Sequence, residues 1–92
     1  MKQESAEVIA LKTLTWLIGD EEILPIFLGS SGMSPEELRV RATEMDVLSA
    51  VLDFVTMNDE WVNACATATG LDPHDPMRAR QALPGGADIH WT

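Results

Sequence analysis

Basic residues are scarce in this 92-residue chain: six Lys and Arg stand against fifteen Asp and Glu, for a formal net charge of −9. That balance repels nucleic acid and anionic membrane surfaces. Cysteine occurs once, at Cys65. An internal disulfide is thereby excluded, and a reducing, cytoplasmic setting is the expectation. No uninterrupted apolar run approaches the ~18 residues of a membrane span. The polar start Met-Lys-Gln-Glu-Ser-Ala-Glu is unlike a secretory signal. Apolar/polar alternation is also missing, so strands have little support. The chain has no Ser/His/Asp order, glycine-rich phosphate loop, dinucleotide fingerprint, or zinc or calcium ligand spacing. No catalytic residue, metal or cofactor is therefore expected.

What is present is an ordinary globular composition, 46% apolar, in a single domain over residues 1–92. A chain of this size buries about 60–65% of its unfolded surface. The apolar positions recur at helical spacing. Six helices fit: Glu4 to Ile18, Asp20 to Leu28, Pro35 to Ala42, Asp46 to Met57, Asn58 or Asp59 to Gly70, and Asp75 or Pro76 to Leu83. In the first, Val8, Leu11, Leu14 and Ile18 are read as a broad apolar face. Gly29-Ser30-Ser31-Gly32 is read as a break, and Pro25 as a loosening of the second helix. Ser34 with Glu37 reads as a capping box, with Pro35 at the first helical position. Ten of the fifteen acids sit at such helix starts, where they complement orphan amides and the helix dipole. Trp16, Trp61, Cys65 and Ala68 are read as core.

The order of helix, cap, helix, glycine, cap and helix occurs twice, about 38 positions apart. Leu14 meets Leu52, Trp16 meets Phe54, Asp20-Glu21-Glu22 meets Asn58-Asp59-Glu60, and Gly32 meets Gly70. The expectation is an all-α, compact six-helix bundle-like domain of two similar three-helix repeats. The repeats span about 8–42 and 46–83, and an extended C-terminal tail covers 84–92.

Four segments carry a family resemblance: Trp16-Leu17-Ile18-Gly19-Asp20-Glu21, the stretch from Gly32-Met33-Ser34-Pro35 to Ala42, Val51-Leu52-Asp53-Phe54, and the ending Ala82-Leu83-Pro84-Gly85-Gly86…His90-Trp91-Thr92. With them the chain resembles a small bacterial family designated domain of unknown function 3572, over nearly its full length. The resemblance implies a cytoplasmic, helical, stand-alone domain. It brings no assigned activity and no catalytic or binding residues.

Two groups of residues are candidate contacts. All four arginines fall in Arg-x-Arg pairs, Arg39/Arg41 and Arg78/Arg80, which together would suit an anion or an acidic peptide. The competing reading pairs them with carboxylates on their own helices: Glu37 with Arg41, Glu36 with Arg39, and Asp75 with Arg78. In the tail, an extended backbone puts Ile89 and Trp91 on one side and Asp88 and His90 on the other. Ile89, His90 and Trp91 would then dock on the domain itself or on a partner. Two other patterns are weaker. Leu28, Gly32 and Leu38 have helix-turn-helix spacing, but Pro35, Glu36 and Glu37 would aim carboxylates at phosphates. Asp72-Pro73-His74-Asp75 gathers potential ligands but reads as a helix start.

The functional expectation is a non-catalytic protein-interaction module that contacts an unknown protein partner or a second copy as a homodimer. An anion binder using the arginines is the runner-up, and an enzyme completed at a dimer interface comes third.

Overall fold

Helical spacing and helix-start residues produce six α-helices in the computed structural model, which describes residues 1–83. They are α1 (Gln3–Ile18), α2 (Ile23–Ser31), α3 (Pro35–Val40), α4 (Met45–Thr56), α5 (Asp59–Thr69) and α6 (Asp75–Ala82). No strand occurs among the described residues. None of the helices is long and apolar enough to cross a membrane. The anticipated tail, with Ile89, His90 and Trp91, lies outside the described residues.

Local signals set the ends. Asp20 Oδ1 accepts from the amides of Glu22 and Ile23, both at 2.9 Å, ahead of α2. Asn58 Oδ1 accepts from Glu60 and Trp61 at the start of α5. Ser34 Oγ accepts from the Glu37 amide at 3.1 Å, with Pro35 beginning α3. The capping box is only half made, because the Glu37 carboxylate reaches Arg41 at 3.3 Å instead. Gly32 and Gly70 end α2 and α5 with φ of 76° and 77°. Each donates its amide to the carbonyl four residues back, at 2.9 Å. Only glycine adopts that left-handed turn at no steric cost.

Helix α2 differs from expectation. It runs through Gly29 to Ser31 without a break. Pro25 is tolerated because it falls in the first turn, where no amide has a partner within the helix to lose.

Helices α1 and α4 form the centre, with α5 and α6 packed on both and α2 touching both lightly. Ile9, Ala10, Thr13, Leu14 and Leu17 of α1 are buried, as are Val47, Leu48, Val51, Leu52 and Val55 of α4. Burying each large aliphatic side chain contributes about 1.5–3 kcal/mol. An aromatic row joins three helices: Phe27 meets Phe54 edge-on at 5.2 Å, and Phe54 stacks on Trp61 at 4.7 Å.

The α1 face is the main correction to the sequence reading. Leu14 is buried, but Val8, Leu11 and Ile18 are 52%, 38% and 41% exposed. The buried face is instead Ala6, Ile9, Ala10, Thr13, Leu14 and Leu17. Helix α1 is apolar nearly all round, so periodicity alone could not choose. The alanines decide, because small side chains let a neighbouring helix approach closely.

Candidate functional site

Because α1 buries its alanine face, a second apolar stripe is left outside. Val8, Leu11, Lys12, Thr15 and Trp16 recur at the i, i+3, i+4, i+7, i+8 spacing of one helical face. With Ala68 and Thr69 at the end of α5, they line a groove of about 490 Å³. Two positions read as core line this groove: Trp16 is half-buried and packs against the core as well, whereas Ala68 is exposed. Ala66 takes the buried place on α5 beside Cys65. Trp61 is likewise half-buried, packed against the edge of the core.

The groove wall is chemically quiet. Thr15 Oγ1 donates to the Leu11 carbonyl at 2.9 Å, and Thr69 Oγ1 donates to the Cys65 carbonyl at 2.7 Å. Both hydroxyls are thus satisfied within their own helices. Lys12 is the one charged residue of the lining, and it makes no ion pair among the described residues. The arrangement suits an apolar side chain flanked by an acid.

The four arginines are placed differently from one another. Arg41 is held by Glu44 at 2.8 Å, Asp46 at 2.7 Å and Glu37 at 3.3 Å. Its pKa is raised further, chiefly by the hydrogen bond it donates to Glu44. Arg80 Nε meets Asp53 of α4 at 2.6 Å. Arg78 lies 3.9 Å from Asp75, and Arg39 is exposed with no ion pair among the described residues. Of the expected helical pairings, Glu37–Arg41 and Asp75–Arg78 form and Glu36–Arg39 does not. Arg80–Asp53, 27 residues apart, was invisible to a reading that looked three or four residues away.

A polar notch between α4 and α6 is lined by Asp46, Ser49, Asp53 and Arg80. Ser49 Oγ and Arg80 Nη1 have no hydrogen-bond partner among the described residues, but both atoms are buried beneath its surface.

The remaining candidates are structural in their contacts. Asp72 Oδ1 accepts from the His74 amide at 2.8 Å and meets His74 Nδ1 at 2.9 Å. Those two bonds, the amide first, lower the Asp72 pKa. The Asp75 carboxylate accepts from the Asp72 amide at 3.1 Å, closing the turn into α6. Among the described residues, no three His, Cys, Asp or Glu side chains converge to hold a metal ion. Cys65 is buried, and burial pushes its thiol pKa up. A thiol kept protonated is a poor nucleophile.

No curated protein and no solved structure matches the chain. A family model does match residues 3–86, taking in every segment of the resemblance except His90-Trp91-Thr92. That model describes a protein of unknown function (DUF3572), and with nearly its whole length matched the chain belongs to this family.

Proposed function

We propose that the chain is a non-catalytic interaction module whose receiving surface is the α1/α5 groove. The observation that carries this reading is the exposed pair Val8 and Leu11, continued by the half-buried Trp16 and by Ala68 into one apolar groove. Grooves of this kind accept apolar side chains from a helix or an extended segment. A reducing, cytoplasmic setting agrees with the buried, unpaired Cys65. The arginines support no second reading, since Arg41, Arg78 and Arg80 already face carboxylates.

We also read the six helices as two related three-helix units, about 8–42 and 46–83. Support comes from equivalences at the 38-residue offset. Asp20 and Asn58 cap alike, and Gly32 and Gly70 share a conformation. Buried positions 9, 10, 13, 14 and 17 match 47, 48, 51, 52 and 55. The third helices differ: α6 packs on both α1 and α4, whereas α3 buries only Leu38.

The test of the module is a photoreactive phenylalanine analogue placed at Leu11 and, as a control, at the exposed Val40, in the cells of origin. The expected result is a discrete adduct with another polypeptide through position 11 and none through position 40. A second copy of the chain as the adduct makes the module a homodimer. Absence of any intermolecular adduct through position 11 removes the reading.

A further inference from the structure

Helix α1 has two faces, and the outer one follows the spacing of a coiled-coil seam. Glu4, Val8, Leu11, Thr15 and Ile18 recur at alternating steps of four and three residues, the a/d pattern of a heptad. All five are exposed, while the opposite, alanine-bearing face packs into the core. Among the described residues, Val8, Leu11 and Ile18 are exposed large apolar side chains on this one seam, and exposed Met1 precedes Val8 at heptad spacing. The others, Ile26, Val40, Met57 and Met77, are scattered over the remaining elements.

The seam matches a reversed copy of itself. Two α1 helices laid antiparallel, with a two-fold axis between Ile9 and Ala10, set Val8 of one against Leu11 of the other. Ile18 then comes to Met1 of the second copy, and Glu4 faces Thr15. Apolar side chains meet apolar ones, and the two polar layers meet each other and fix the register. A parallel pairing would instead set Glu4 against Glu4 in one layer, where like charges repel.

The charges agree with the reversed pairing. Lys12 flanks the seam one turn before Thr15, so Glu4 of the second copy arrives beside it. Neither Glu4 nor Lys12 makes an ion pair among the described residues. Within one chain the two lie about 12 Å apart along the helix and do not meet. Beside the seam, Ala68 is exposed and small, which leaves room for a second helix next to α5. The net charge of −9 on each copy opposes association. That repulsion is largely screened beyond about 8 Å at physiological ionic strength.

Resting on the reading of the α1/α5 groove as the receiving surface, we propose that its occupant is helix α1 of a second copy, packed antiparallel. Val8 and Leu11 of each chain cover those of the other, and Glu4 of each chain pairs with Lys12 of the other.

Sedimentation equilibrium of the full chain tests this, with a reversible dimer as the expected result. Leu11→Glu should weaken dimerisation roughly a hundredfold, with helix content kept because Leu11 is partly exposed. Glu4→Lys and Lys12→Glu should each weaken it about tenfold. The double variant Glu4→Lys/Lys12→Glu should recover the wild-type constant, because exchanging two residues that do not touch within one chain restores only a contact between chains. A chain that stays monomeric up to about 1 mM, a dimer indifferent to Leu11→Glu, or a double variant no tighter than the single ones overturns the proposal. An adduct through position 11 to a different polypeptide would still stand in each case. Failure of the homodimer and failure of the module are therefore told apart.

Discussion

At the scale of single residues, the contact with the largest consequence is Arg80–Asp53. The arginine side chain is 16% exposed and its partner 56%, so the buried charge depends on a largely solvated carboxylate. Arg80 Nη1 already lacks a partner among the described residues. Removing Asp53 leaves a buried guanidinium with little to answer it, whereas removing Arg80 leaves an acid that water can solvate. Asp53→Ala is therefore expected to cost about 1–3 kcal/mol, and Arg80→Met clearly less, because an apolar replacement restores the packing without the unpaired charge. Urea denaturation of the two variants checks the order; equal losses would mean the ion pair itself carries the stability. None of this was legible beforehand. Helical-pair reasoning found Glu37 for Arg41 because they are neighbours on one surface. The partners Glu44 and Asp46 required the chain to turn after α3, and Asp53 required α6 to lie on α4.

Among the elements, helix starts and stops were the most legible feature, because their physics is local. Asp20, Ser34 and Asn58 cap through their own side chains, and Gly32 and Gly70 stop helices through their own backbone. Faces were less legible. Helix α1 offers two apolar stripes, and the choice between them belongs to the helices packed against it. The groove shares this ambiguity: Val8, Leu11 and Trp16 on one face are its signal in the sequence, and apolar residues at that spacing read as core. The glycines of α2 give a prediction at this scale. Gly29 lies inside the helix and a Cβ there would meet nothing, so Gly29→Ala should stabilise by about 0.5–1 kcal/mol. Gly32 is equally open but left-handed, so Gly32→Ala should destabilise by about 1–2 kcal/mol, with Gly70→Ala behaving alike. Thermal melts of the three variants check the opposite signs. A neutral Gly32→Ala would mean the α2 terminus has another conformation open to it.

For the whole molecule, a repeated local pattern does not fix which helix takes the central place. Both α3 and α6 have proline in the first turn and carry arginines, yet only α6 enters the angle between α1 and α4. Small side chains account for the difference. Ala6, Ala10 and Ala79 are all 0% exposed, and α6 packs on α1, where small side chains permit close approach. Helix α3 presents Leu38 alone and leaves Val40 83% exposed. If close approach at Ala79 is what seats α6 on α1 and α4, enlarging it must strain both together. Ala79→Leu should then cost about 1–3 kcal/mol or more through overpacking, although leucine is a good helix former. Val40→Leu on α3 should stay within about 0.5 kcal/mol of wild type, as exposed substitutions do. Chemical denaturation of both variants decides the matter. A wild-type midpoint for Ala79→Leu would show that α6 has room to move outward and that close approach at Ala79 is not what holds it in place.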